Sequence, residues 1–138
     1  MKPYFAIDGK FSNGDTGFYH SAHEEYPWHM TVFENTMNLT AVKIHNRRNC
    51  CGERLHHVQI RAGRTAIDAN HSGLITQNTL CGSFDGPGVD AGVYTISCKA
   101  PINANVVTIQ IVDTGAQYLG LDEVEFLTNG KIISWFGL

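Results

Sequence analysis

Apolar and polar residues alternate with a period of two along this chain, in short runs, and no stretch holds a helical spacing beyond a turn or two. Val42 and Ile44 alternate with Lys43 and His45, and Val58 and Ile60 with Gln59 and Arg61. Val107, Ile109 and Ile111 alternate with Thr108, Gln110 and Val112, and Val124 and Phe126 with Glu123 and Glu125. Runs of this kind make half-buried strands, one face toward a core and one toward water. Turn signals divide them: Asn13-Gly14-Asp15, Asp85-Gly86-Pro87-Gly88, Asp113-Thr114-Gly115 and Asn129-Gly130. A length of 138 residues suits a single domain over 1–138, and with 43% hydrophobic residues it can bury a core of its own. The expected class is all-β, an antiparallel β-sandwich or barrel. The first 30 residues read largely as loop, rich in Gly, Asn, Asp and His.

Net charge is −3, so there is no overall basic field for nucleic acid. No apolar run reaches the length of a membrane span, and no membrane insertion is expected. Met1-Lys2-Pro3-Tyr4 leads quickly into polar sequence, and no signal peptide is visible. Four cysteines allow three connectivities. The sequence favours Cys50–Cys51 and Cys81–Cys98, because Cys98 follows the strand-like run Val93-Tyr94-Thr95-Ile96-Ser97 and Cys81 precedes a Gly-rich turn. The second bridge closes a loop of about 17 residues, worth roughly 3 kcal/mol in the chain-entropy account. Disulfides persist in oxidising compartments, which points to a secreted, extracellular protein. The rival is a reduced cytosolic protein using Cys50 and Cys51 as a thiol pair or metal site, but no second cysteine–histidine cluster has zinc spacing. Asn38-Leu39-Thr40 and Asn70-His71-Ser72 are glycosylation sequons.

The stretch Asn46-Arg47-Arg48-Asn49-Cys50-Cys51-Gly52-Glu53-Arg54 is unusual in chemistry, and all five arginines of the chain fall between Arg47 and Arg64. Two adjacent bonded cysteines close a small ring. Guanidinium groups around a sulfur-capped knob make a poor core and a good surface for a ligand with many hydroxyls. Arginine keeps its charge and offers five fixed donors that fork onto vicinal oxygens.

These residues resemble the F-type lectins, the fucose-binding family of eel agglutinin, related in fold to discoidin domains. The family's signature is His, 26 residues, Arg, any residue, Asp, four residues, then Arg or Lys; here His20, Arg47, Asn49 and Arg54 hold those places. Ala6-Ile7-Asp8-Gly9, Pro27-Trp28, Cys50-Cys51-Gly52-Glu53-Arg54, Cys81, Cys98 and Glu123-Val124-Glu125 also match in order and spacing, so the resemblance runs from about Ala6 to Phe126. It implies a jelly-roll sandwich that binds α-L-fucose-containing glycans. His20, Arg47 and Arg54 would converge on the ring oxygen and neighbouring hydroxyls, the Cys50–Cys51 pair would pack on ring carbons, and Phe18 or Tyr19 would meet the methyl group. It also implies a structural Ca2+ held by Asp8, Lys10, Gly17, Asp122 and Glu123, partly through backbone oxygens. Read without the family, Asp8 and Glu123 are ordinary surface acids, His23, His29, His56 and His57 are satisfied loop histidines, and Trp28 belongs to the core.

The chain departs from the family in three ways. Asn49 stands where the signature has Asp, keeping an acceptor but losing a charge-assisted bond. Phe18 and Asp122 leave no bridge from the binding loop to the last strand. The match begins at about the family's Asp-Gly turn, so roughly one strand is missing before it. Leu121–Leu127 and Lys131–Phe136 are therefore expected to form a hairpin through Asn129-Gly130 that covers the exposed edge. Glu24, Glu25, Glu53, Asp85 and Asp90 show no spacing that singles out a catalytic pair, and no nucleophile motif or Gly-rich phosphate loop is present. The function expected is sugar binding without catalysis; the alternatives are a discoidin-like adhesion module with a decayed sugar site, and the targeting module of a larger enzyme or toxin. Clustering of sites raises the avidity of lectins, so a homo-oligomer is compatible with the sequence, which specifies no stoichiometry.

Overall fold

The computed structural model describes residues 18–133. Asp8, Lys10 and Gly17 of the expected calcium set lie outside the described residues, as do residues 134–136 of the expected final strand. The strands are β1 (Tyr19–His20), β2 (Glu24–Glu25), β3 (Trp28–His45), β4 (Val58–Gly63), β5 (Thr79–Phe84), β6 (Val93–Ile111), β7 (Ala116–Gln117), β8 (Gly120–Leu121), β9 (Glu123–Thr128) and β10 (Lys131–Ile133). Among the described residues one 3-10 turn, Gly52–Arg54, interrupts them.

The expected all-β antiparallel sandwich is what forms. Six strands pair in the order β10-β9-β3-β6-β4-β5, and β1 with β8 and β2 with β7 add two-stranded pieces. The two layers come from two long strands, β3 of 18 residues and β6 of 19, each used twice. The second half of β3, Ala41 to His45, lies between β9 and the start of β6. The first half of β3, Trp28 to Val32, pairs with the end of β6, which pairs on with β4 and then β5. Register shifts between Val32 and Met37 and between Leu39 and Ala41 separate the halves. At the second shift only Thr40 of β3 stands opposite residues 98–101 of β6. Pro101, which has no N–H to give a ladder, falls in that gap. The alternation is broken there, which is why the sequence shows the ends of β6 and not its middle.

Val42, Ile44, Val124 and Phe126 of one layer pack with Val58, Ile60, Ile109 and Ile111 of the other in a single core. These are the apolar positions of the alternating runs. Their polar partners do not all reach water. Thr108 and Gln110 are 2% exposed, so the end of β6 is buried on both faces. The Gln110 amide accounts for it: Nε2 donates to the carbonyls of Tyr26 and Gly73 at 3.0 Å, and Oε1 accepts from the Ile75 N–H at 2.9 Å. The 64–78 loop is thereby fastened over the sheet. Trp28 is half-buried beneath that loop, its indole N–H donating to the His71 carbonyl at 3.2 Å, and is not a core residue. His29 lies in a strand rather than a loop, buried edge-on against Tyr19 with ring centroids 4.8 Å apart.

Both disulfides pair as the sequence favours, Cys50 with Cys51 and Cys81 with Cys98. The second ties the outer strand β5 to β6 beside the register gap. The β9–β10 hairpin also forms, with Lys131 opposite Thr128, but its first strand is Glu123–Thr128; Leu121, expected in it, belongs to β8 and pairs with Tyr19. Asn129 and Gly130 have φ of 51° and 80°, as a two-residue turn of the I′ type requires. β10 stands at the edge of the six-stranded sheet.

Candidate functional site

The loop after β3 is shaped by one buried amide. Asn46 is 2% exposed; its Nδ2 donates to the carbonyls of Gly52 at 2.9 Å and Val89 at 3.0 Å, and its Oδ1 accepts from the Arg47 N–H at 2.9 Å. Asp90 Oδ1 accepts from the Gly52 N–H at 2.8 Å. Gly52 sits so close to the facing chain that a Cβ would lie 2.3 Å from Asp90 N and Val89 C. Only glycine fits there. Just before it, Cys51 takes a left-handed conformation (φ 66°), which turns the chain into the 3-10 helix and sends Arg54 back toward Arg47.

Arg47, Cys51 and Arg54 then meet His20 around one small hollow, with Asn46 and Leu55 from the same loop and Tyr118 and Gly120 from the opposite segment. His20 is delivered by β1, where it pairs with Gly120 of β8. Each of the two arginines lies on an aromatic face: the Arg47 guanidinium is 4.7 Å from the Phe18 ring centroid, and Arg54 is 4.7 Å from Tyr118. Such stacking holds the planar group while leaving its edge donors directed outward. His20 packs beside both rings, 4.9 Å from Tyr118 and 6.1 Å from Phe18. His23 stacks on Tyr118 at 4.5 Å, one further layer in the same array. Burial lowers the His20 pKa, and the Arg47 and Arg54 charges push in the same direction against a hydrogen bond from the His20 ring to the Ser21 backbone that raises it. His20 is thus held neutral near pH 7, with one ring nitrogen a donor and the other an acceptor.

Of the six expected sugar-site residues, His20, Arg47, Cys51 and Arg54 line the hollow directly. Asn49 reaches it through Arg47, whose Nε donates to Asn49 Oδ1 at 2.8 Å. Cys50 reaches it through its bond to Cys51. The two later arginines of the sequence run lie away from the hollow. Arg61 is on β4 and donates to the Asn78 carbonyl at 3.0 Å, and Arg64 is exposed on the loop beyond it. Tyr19 also points elsewhere, because alternation along β1 turns it into the core. Its hydroxyl donates to the Trp28 carbonyl at 3.3 Å, and burial, helped by Glu24, pushes its pKa up to about 12. Phe18 is 1% exposed under Arg47, so its ring supports the guanidinium and offers no open apolar face. Sequence reasoning missed Tyr118. The one hint was an aromatic between Gly115 and Gly120, a pattern too common in turns to single out.

Asp122 and Glu123 are 0% and 4% exposed, so Glu123 is not the surface acid expected from the residue alone. Buried carboxylates are costly unless compensated, and their oxygens are the donors a hard cation takes. The Asp122 N–H donates to the His45 carbonyl at 3.0 Å, which places this acidic pair against the root of the site loop. A larger hollow of about 500 Å³ between Trp28, His29, Met30 and His71 has no arginine or lysine among the described residues that line it. No helix among the described residues is long and apolar enough to cross a membrane.

Comparison with known proteins agrees with this geometry. Residues 5–109 match the family model described as NedA-like, galactose-binding domain. A fucolectin of Anguilla anguilla is 38% identical over 125 residues, 87% of this chain and 72% of the eel protein. Fucolectin-1 of Anguilla japonica is 32% identical over 127 residues, covering 89% of this chain and 66% of its own length. This chain therefore spans about two thirds of the relatives it matches. The crystal structure of a serum fucolectin of the striped bass, Morone saxatilis, superposes with a TM-score of 0.76 at 26% identity, over 90% of this chain and 41% of that one. The fold, the paired cysteines and the matched length together make this chain a member of the fucolectin, or F-type lectin, family.

Proposed function

We propose that this chain is a lectin that binds α-L-fucose-containing glycans through His20, Arg47, Asn49, Cys50, Cys51 and Arg54, without acting on them chemically. The observation that carries this reading is the convergence of two aromatic-backed guanidinium groups and a neutral imidazole on one hollow beside a vicinal disulfide. Arg47 and Arg54 donate to neighbouring hydroxyls, each such bond worth about 1.5–3 kcal/mol when well aligned. His20 donates or accepts at a third oxygen. The sulfur pair offers an apolar surface to ring carbons. Glycoside hydrolysis uses two carboxylates, and none lines the hollow among the described residues, which supports binding without turnover. The names of the relatives support fucose as the sugar.

Asp8, Lys10, Gly17, Asp122 and Glu123 hold a structural Ca2+ in this reading, which braces the site loop from behind through the Asp122–His45 contact. Secretion fits the two disulfides and the serum source of the striped-bass relative. A homo-oligomer would multiply weak single-site binding. A glycan array with the purified chain in calcium tests the proposal. Fucosylated structures should dominate the hits, and titration with L-fucose should reproduce the binding. Hits confined to proteins or lipids would replace it with an adhesion module, and released sugar would replace it with an enzyme. For the ion, added calcium should raise the melting temperature.

A further inference from the structure

We propose that His56, His57 and Asp113 form a binding site for a divalent transition-metal ion of the zinc type, separate from the sugar hollow and from the acidic pair Asp122–Glu123. Consecutive residues of an extended chain point to opposite sides. His57 instead takes φ 46°, a left-handed conformation uncommon for histidine, and both imidazoles turn to the same side. Backbone bonds fix that step: the His57 N–H donates to the Asp85 carbonyl at 2.9 Å, and the Val112 N–H donates to the His57 carbonyl at 2.8 Å. The second bond also brings Asp113, one residue on, alongside the rings.

The three donor atoms have the spacing of ligands around one ion. His56 Nδ1 and His57 Nδ1 are 2.8 Å apart, a hydrogen bond whose proton an arriving ion displaces, and Asp113 Oδ2 is 3.6 Å from each. A single point lies about 2 Å from all three atoms, the Zn–N and Zn–O distance. The 3.6 Å separations are too long for hydrogen bonds but close to the roughly 3.3 Å between neighbouring ligands of a tetrahedral zinc.

The surroundings set Asp113 and His56 in the state a metal needs, and His57 gives up its Nδ1 proton when the ion binds. Asp113 Oδ1 accepts from the Thr114 N–H at 2.9 Å, leaving Oδ2 toward the histidines. Gln117 Nε2 donates to the Thr114 carbonyl at 3.1 Å, so Gln117 Oε1 must accept from His56 Nε2, also at 3.1 Å. That puts the His56 proton on Nε2 and leaves the Nδ1 lone pair for a metal. It is the outer contact that metal-bound histidines characteristically make. His57 is 55% exposed and Asp113 39%, which leaves an approach for the ion and a place for water as fourth ligand. Imidazole with carboxylate suits zinc and its neighbours, whereas calcium prefers an all-oxygen set.

The test is titration of the chain with ZnCl2 in buffer already saturated with calcium, followed by Co2+ as a visible-spectrum reporter. The wild type should take up a single equivalent of zinc, and Co2+ should give the intense absorption of a low-coordinate site. His57→Asn keeps a residue that tolerates the left-handed step, and Asp113→Asn keeps the acceptor for Thr114, so both variants should fold. Each should bind zinc at least about tenfold more weakly, with an unchanged metal-free melting temperature. No zinc uptake by the wild type would overturn the proposal. So would zinc affinity unchanged in both variants, which would put the ion on another histidine, or displacement of zinc by excess calcium.

Discussion

Two irregular stretches, 46–55 and 64–78, are fastened by the same device and end up with different tasks. Each is organised by a buried side-chain amide that satisfies three backbone groups, Asn46 in the first and Gln110 for the second. Asn46 belongs to its own loop, which is therefore folded around itself and against residues 88–92. Its outer residues, Arg47, Cys51 and Arg54, remain at the surface hollow. Gln110 belongs to the sheet, so its loop is pinned flat upon β6, and Ile67 and Ile75 are buried to 4% and 3% in the process. A loop held from within can present chemistry; a loop held from beneath becomes a cover.

Glycine substitutions put the largest strain on that contrast. Gly52→Ala would drive a methyl to 2.3 Å from backbone atoms of Val89 and Asp90. Overpacking of this kind costs about 1–3 kcal/mol, and here it must displace the turn that carries Arg54. Fucose binding should vanish. Gly73→Ala meets no atom within 4 Å and suffers only from its φ of 87°. It should cost about 1–2 kcal/mol and leave binding intact. Thermal melts paired with fucose titrations decide; equal loss of binding in both variants would erase the distinction between the loops.

Arginine truncations come next. Arg54→Ala and Arg47→Ala should each weaken sugar binding by about 1.5–3 kcal/mol, the worth of a charged hydrogen bond, with little change in stability. Arg64→Ala, on the covering loop, should change neither. Calorimetry is the readout, and retained fucose affinity in either of the first two variants would remove that residue from the site.

Removing the amides should show the two loops sharing a mechanism of stability but not of function. Asn46→Ala and Gln110→Ala each leave buried backbone groups unsatisfied, at about 1–3 kcal/mol. Denaturant unfolding should find similar losses. Only Asn46→Ala should also lower sugar affinity, because only its loop carries the donors.

The same contrast explains what could be read from the sequence. The strands of the core were legible wherever alternation was strict, as in Val42–Ile44 and Val124–Phe126, because period two maps directly onto the two faces of a sheet. The loop at Asn46 was legible because its chemistry is local: cysteines, arginines and glycine close together in the chain. Gln110 read as a solvent-facing strand residue, and nothing nearby in sequence shows that residues 73–75 come to lie over it. Tyr118 and Asp113 were missed for the same reason. Their partners, Arg54 and the histidines at 56 and 57, lie more than 50 residues away along the chain and meet them only through the sheet.

Protonation is the smallest expected effect and the finest probe of the first loop's charge. His20 has its pKa lowered from the ordinary 6.5, first by burial and then by Arg47 and Arg54. The unfolded chain therefore takes up this proton before the folded one does. As the pH falls through 6.5 the fold loses stability at this position, and the loss is complete once the pH is below the lowered folded value. His20→Gln has no such proton to take up. The melting temperature of the wild type relative to His20→Gln should thus decline between pH 7.5 and pH 5, while other histidines contribute equally to both proteins and cancel. Placing Arg54→Ala in both backgrounds removes one of the neighbouring charges, so the decline should become shallower. A wild type that instead gains on the variant in acid would mean that His20 is stabilised as the cation, and that the arginines on the Phe18 and Tyr118 rings do not set its charge.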